Sequence, residues 1–259
     1  MKENVTTDKL FLHIPKTGGI SVRDKIAQIK SATRLRRKHF TAEYEKQITE
    51  MHENGITFPT FDPNEDLKER SYHFPVSKIR KEVLEQGTLF SIVRNPWQRL
   101  HSQWRFANNF WDGLVAEHNP LLEKMGREQG FNPKALGLLL PEKWEDWSFE
   151  TFWNWRHYQI EPAIFAYSIL SFFPQAEYLR MEDGSVGGIH VDFNNMEKGL
   201  TQVLHTDIVL PQLNVTETRR DIRQDFSDKL IQEVADFFEA DINHWGFDFD
   251  TGATKNVVY

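Results

Sequence analysis

Two short stretches of this 259-residue chain place anion-binding residue types at spacings that suit phosphate chemistry. The first is Leu10-Phe-Leu-His-Ile-Pro-Lys16-Thr-Gly-Gly-Ile-Ser21, an apolar run that enters a glycine turn and then a helical pattern. Glycines let a backbone approach an anion closely, and the unpaired N–H groups of a helix start point at it. Lysine adds a full positive charge beside them. Lys16, Thr17, Gly18, Gly19, Ile20 and Ser21 are therefore the candidate cradle. The lysine precedes the glycines, whereas the common nucleotide loop carries its lysine after them. The second stretch is Ile92-Val-Arg94-Asn-Pro-Trp-Gln-Arg-Leu-His-Ser102. Arg94 closes an apolar run, and Ser102 follows eight residues later, about two helical turns on. A guanidinium grips a phosphate through two nitrogens, and a serine hydroxyl can donate a third bond. The two stretches together suit one ligand with two separate phosphate groups.

Strands and helices must bring these stretches together. Leu10–Ile14 reads as a buried strand and Ser21–Ile29 as the helix after the glycine turn. Thr88–Val93 reads as a second buried strand, and Asn95 with Pro96 predicts a helix from Pro96 to about Phe106. Lys78–Gln86 reads as a short helix, Pro162–Phe173 as another, and Ala176–Met181 and Val191–Phe193 as strands. A helix is expected over about Met196–Leu204. Another follows Ser227, with Leu230, Ile231, Val234, Phe237 and Phe238 on one face. Strands alternating with helices predict an α/β fold, a central parallel β-sheet covered by helices on both faces. The length suits a single domain over residues 1–259, with insertions near 31–70 and 107–145. Phe110–Glu142 carries several prolines and glycines and reads as an insertion, and Phe58–Glu69 reads as an acidic loop.

Composition narrows the function classes. A hydrophobic fraction of 39% and an aromatic fraction of 13% supply a core, which argues against wholesale disorder. A formal charge of −7 argues against nonspecific nucleic-acid binding, while a local cluster can still bind a small anion. The chain has no cysteine, so disulfides, thiolate metal sites and cysteine nucleophiles are absent. No apolar run approaches the roughly 20 residues of a membrane span. The expectation is a soluble, cytoplasmic protein, or one of the Golgi lumen if an anchor precedes it.

The paired motifs resemble those of the sulfotransferases, most closely the branch that includes heparan sulfate 2-O-sulfotransferase and the chondroitin and dermatan enzymes. Leu12–Ser21 is similar to that family's 5′-phosphosulfate loop, and Ile92–Ser102 to its 3′-phosphate motif. Leu213–Thr216 and Asp241–Phe249 are similar, more weakly, to its closing segment. The resemblance implies a sulfotransferase fold, akin in architecture to P-loop nucleotide kinases. It also implies a donor, 3′-phosphoadenosine 5′-phosphosulfate (PAPS), with no metal expected. Thr17, Gly18, Gly19, Ile20 and Ser21 would then hold the 5′-phosphate, and Arg94 with Ser102 the 3′-phosphate. Lys16 would neutralise charge on the oxygen between phosphate and sulfate. The acceptor hydroxyl, on a glycan or small molecule, needs a base that is neutral near pH 7, and His73 in Ser71-Tyr-His-Phe-Pro75 is the candidate.

Other readings compete at several positions. His73 could be a hydrogen-bonded structural histidine; His13 and His101 are read as structural, with His157 a fallback base. Gln159 lies in a segment similar to a family substrate-side helix but is read as packing. Trp144, Trp147, Trp153 and Trp155 could stack on sugar rings, though core is the preferred reading. The cluster Arg34-Leu-Arg-Arg-Lys38 is read as a solvated surface, with a rim for an anionic substrate as the alternative. The sequons at Asn4 and Asn214 are read as accidental. Two other functions remain open: an ATP-dependent small-molecule kinase, and a nucleotide-binding family member without catalysis.

Overall fold

A computed structural model describes residues 8–53, 73–154, 172–210 and 221–259. These carry a four-stranded parallel sheet in the order β2-β1-β3-β4, built from β1 (Asp8–Phe11), β2 (Ala32–Arg34), β3 (Gly87–Val93) and β4 (Ile189–Asp192). Leu10 pairs with Leu89, and Phe11 with Phe90. Side chains alternate across the sheet, so β1 and β3 divide between two cores. Phe11, Phe90, Ile92 and Val191 meet Val22 and Ile26 of α1 (Gly19–Ile26) and Leu200, Val203 and Leu204 of α8 (Met196–Leu204). Leu10, Leu12, Leu89 and Val93 belong to the larger core. There they join Trp97, Leu100 and Trp104 of α4 (Pro96–Ala107) and Leu230 and Val234 of α9 (Asp228–Phe237). Strands buried on both faces explain why they read as continuous apolar runs.

The remaining helices are α2 (Ala42–Glu53), α3 (Lys81–Leu84), α5 (Trp111–Gln129), α6 (Phe149–Asn154), α7 (Gln175–Tyr178) and α10 (Glu239–Trp245). Several expectations are corrected. The strand expected at Ala176–Met181 is α7, one helical turn after Pro174; its alternation of Ala176, Glu177 and Tyr178 mimics a strand only because both apolar residues are buried. The stretch read as an insertion holds helix α5, which continues through Pro120 and is anchored by Trp111, His118 and Leu122 at helical spacing. β2 and α2 occupy a stretch that reads as featureless polar sequence. The Lys78–Gln86 helix shrinks to α3, preceded by one tight turn at Val76–Lys78. Phe237 leaves the shared face of α9, being 41% exposed, although its ring still packs on Trp153.

The Arg34–Lys38 cluster is a solvated surface only in part: Lys38 is exposed and Arg36 half-buried. Arg34 and Arg37 are buried, and Arg37 donates from Nε to both Glu45 carboxylate oxygens at 2.8 Å and from Nη2 to Thr49. Burial of a charged group at this depth needs such partners. Trp147 and Trp153 are core residues, and Trp144 packs against Trp104 with ring centroids 4.9 Å apart. Trp155, His157, Gln159, the Pro162–Phe173 helix apart from its last two residues, Phe58–Glu69, Leu213–Thr216 and both sequon asparagines lie outside the described residues. Among the described residues no helix is long and apolar enough to cross a membrane.

Candidate functional site

The turn after β1 is held in a demanding backbone shape. Leu12 donates its N–H to Phe90 O, and Ser91 Oγ donates to Leu12 O, so the chain keeps beside β3 past the end of the strand. Lys16 then takes φ 64° and Gly18 φ 80°, both left-handed. A lysine in that region carries a cost of about 1 kcal/mol or more, so the surroundings must impose it. Three donors do so. Thr17 Oγ1 donates to Ile14 O at 2.8 Å, Arg99 Nε to Pro15 O at 3.1 Å, and Arg94 Nη1 to Lys16 O at 3.1 Å. Helix α1 starts directly after this turn, at Gly19, and the first N–H groups of a helix have no intrahelical acceptor.

The turn after β3 is built differently. Asn95 caps α4 by accepting from Gln98 N, and Pro96 occupies the first helical position. Its amide also donates to Asp248 O at 2.6 Å and Thr251 O at 2.8 Å. The backbone of Arg94 is clasped by Gln175, whose Oε1 accepts from Arg94 N and whose Nε2 donates to Arg94 O. Buried Asp241 holds that glutamine in turn, accepting from the backbone N–H of Gln175 and Ala176. The Arg94 guanidinium lies 4.1 Å from the centre of the Phe193 ring, and its Nε is buried with no hydrogen-bond partner among the described residues.

Both turns open at the carboxyl ends of β1 and β3. The chain leaves β1 for β2 on one side while β3 lies on the other, and ligands of open α/β sheets bind at such a switch point. Helix α4 forms one wall. Arg99, Ser102 and Phe106 follow one another at spacings of three and four, a single stripe along the helix. Arg99 in that stripe bonds the β1 turn, and the Phe106 ring lies 3.6 Å from Lys16 Nζ. Partly buried Ser102 sits between them on the same stripe.

The charges are crowded and unbalanced. Burial, then the neighbouring Arg94, brings the Lys16 ammonium down to about 7. Burial, then Arg99, brings Arg94 down to about 10. Among the described residues no carboxylate forms an ion pair with Lys16 or Arg94. His73 is brought down to about 4, first by burial and then, against a hydrogen bond that raises it, by Arg34, Arg99 and Lys16. That bond joins His73 Nδ1 to His13 O at 3.1 Å. A carbonyl only accepts, so Nδ1 carries the proton and Nε2 keeps its lone pair.

The structure thus brings Lys16, Gly18, Gly19, Arg94, Ser102 and His73 into one region. Of Ile20 only the backbone is described, in the first turn of α1. Two details of the expected cradle are corrected. The Thr17 hydroxyl is fully buried and spent on Ile14 O, so Thr17 can offer an anion only its backbone. The Ser21 N–H turns back onto Gly18 O, which leaves its partly buried side chain as the group it can offer. Sequence reasoning missed Arg99, Phe106, Gln175, Phe193 and Asp241. Arg99 and Phe106 could have been found by extending the Ser102 position along its helical stripe; Gln175 and Asp241 meet across 66 residues and leave no local signal.

Among the described residues no group of three or more His, Asp or Glu is placed to hold a metal ion. Compared with protein-family models, curated proteins and solved structures, the chain matches none.

Proposed function

We propose that this protein is a sulfotransferase of the P-loop-like sulfotransferase fold. In this reading it moves a sulfuryl group from 3′-phosphoadenosine 5′-phosphosulfate to a hydroxyl acceptor, a carbohydrate in the first instance. One observation carries the reading: Lys16 and Arg94, two cations without carboxylate partners among the described residues, are brought together from two strand–helix turns. Partly buried cations without carboxylates suit an anion that completes them, and the partnerless, buried Arg94 Nε is a donor that a phosphate oxygen fits. The reading also rests on the resemblance of the two motifs.

Each residue then has a task. The turn backbone at Gly18 and Gly19, the α1 N–H groups and Ser21 hold the 5′-phosphate, while Arg94 and Ser102 hold the 3′-phosphate. Lys16 Nζ meets the charge that develops on the phosphate oxygen as its bond to sulfur breaks. His73 Nε2 takes the acceptor's proton as that oxygen bonds to sulfur. A bound polyanion beside His73 favours the imidazolium, so its pKa rises from about 4 when the site fills.

The test is product analysis. Incubated with the donor and a panel of neutral and acidic saccharides in the presence of a chelator, the protein should release adenosine 3′,5′-bisphosphate and give one acceptor the mass of a sulfuryl group. The variant His73→Ala should lose turnover while still binding the bisphosphate. Phosphorylation of an acceptor from ATP and magnesium, with no sulfuryl transfer, would overturn the assignment.

A further inference from the structure

Gly19 is the second glycine of the cradle, yet it does not use glycine's conformational freedom. It is the first residue of α1 and its φ is not positive, unlike that of Gly18. What requires glycine there is a neighbouring ring. A Cβ placed on Gly19 would lie 1.9 Å from His13 Nε2 and 2.0 Å from His13 Cδ2. No real contact tolerates that distance, and His13 is not free to retreat. Its ring stacks on Phe11, two residues earlier on the α1 side of the sheet, with centroids 6.0 Å apart. On its other side it meets the His73 ring edge-on, at 4.4 Å and 65°. The His13 carbonyl meanwhile accepts from His73 Nδ1.

We propose that His13 is a positioning residue: its imidazole is a wedge between the first turn of α1 and the His73 ring, and Gly19 is glycine to make room for it. Anion capture at the helix start and proton acceptance at His73 are thereby set at one separation by a single side chain. The carbonyl of the same residue selects the His73 tautomer. This inference rests on the proposed transfer for its purpose, though not for its geometry.

Imidazole nitrogen NMR of the full chain, with calorimetry using adenosine 3′,5′-bisphosphate as the probe, separates the two. In the wild type at pH 7, His73 should show one tautomer, protonated at Nδ1. In His13→Ala the carbonyl remains, but without the wedge the His73 ring is no longer held in line with it. His73 should then give averaged nitrogen shifts while bisphosphate affinity stays within about twofold, as expected for a residue that does not touch the ligand. Gly19→Ala should disturb both readouts, because the new methyl drives the imidazole out of place. Adding His13→Ala to Gly19→Ala should return bisphosphate binding to the His13→Ala level and leave the His73 shifts averaged. Unchanged His73 shifts in His13→Ala would overturn the proposal, as would a double variant that binds no better than Gly19→Ala. If the wild type fails to bind the bisphosphate, the transfer reading falls, and the His73 spectra alone decide on the wedge.

Discussion

The two strand–helix turns meet through the Arg94 Nη1–Lys16 O hydrogen bond, but they are built by opposite means. The β1 turn offers backbone: Lys16 and Gly18 sit in left-handed conformations, and α1 begins directly after them, at Gly19. The β3 turn offers a side chain. Asn95 already occupies the start of α4, so the backbone there is satisfied from within, and the anion-seeking group is the Arg94 guanidinium. A helix start can bind an anion with its own amides or cap itself and present a cation, and under the proposed function this molecule would do one of each. The difference predicts which substitutions cost affinity and which cost stability.

The largest effect should come from Arg94→Met. It removes the partnerless guanidinium, and bisphosphate affinity should fall about 100-fold, the upper range for a hydrogen bond to a charged group. Calorimetry would show it, and a loss under about threefold would put the 3′-phosphate elsewhere. Asn95→Ala breaks the comparison from the other side. It deletes a cap and two bonds to the 248–251 segment, which should lower unfolding free energy by about 2–3 kcal/mol in denaturant titrations. Bisphosphate affinity of the folded protein should barely move, since that turn's cap is structural.

Lys16→Met should weaken the bisphosphate about tenfold and also remove a pH dependence. The native Lys16 loses its proton near 7, whereas the unfolded chain keeps it to about 10.5, so between those values the unfolded state holds more protons. Stability of the unliganded protein should therefore rise with pH across that window, less so in the variant. An anion bound beside Lys16 raises its pKa again. Binding at pH 8 should then take up a proton, visible as a dependence of the calorimetric enthalpy on buffer, and Lys16→Met should lack it. The smallest effect is expected for Thr17→Val. Its hydroxyl serves Ile14 O, so the change should lower stability by about 1 kcal/mol and leave the anion site intact apart from a loosened turn.

What could be read from sequence follows the same division. The turns themselves were legible because their signals are local: apolar runs ending at Pro15 and Arg94, an Asn-Pro helix start, and glycines where one φ is in fact left-handed. The α8 boundaries and the Ser227 cap of α9 were legible for the same reason. The supports were not. Gln175 clasps Arg94 from 81 residues away, and Asp241 holds Gln175 from 66. The burial of Arg37 depends on Glu45 and Thr49, one and two turns into a helix that the polar sequence around it conceals. Helix α5 was hidden by Pro120 and two glycines that tertiary anchoring overrides. The reason for Gly19 was hidden too, because a glycine in a phosphate-like loop suggests backbone approach before it suggests room for a histidine.

The central claim is that both turns serve one metal-free bisphosphate site. Titration calorimetry with adenosine 3′,5′-bisphosphate, AMP and ATP, each with and without magnesium, tests it most directly. The bisphosphate should bind tightly in a chelator, AMP should bind far more weakly for want of the 3′-phosphate, and magnesium should change neither. Binding that favours ATP and requires magnesium would contradict the two-turn account.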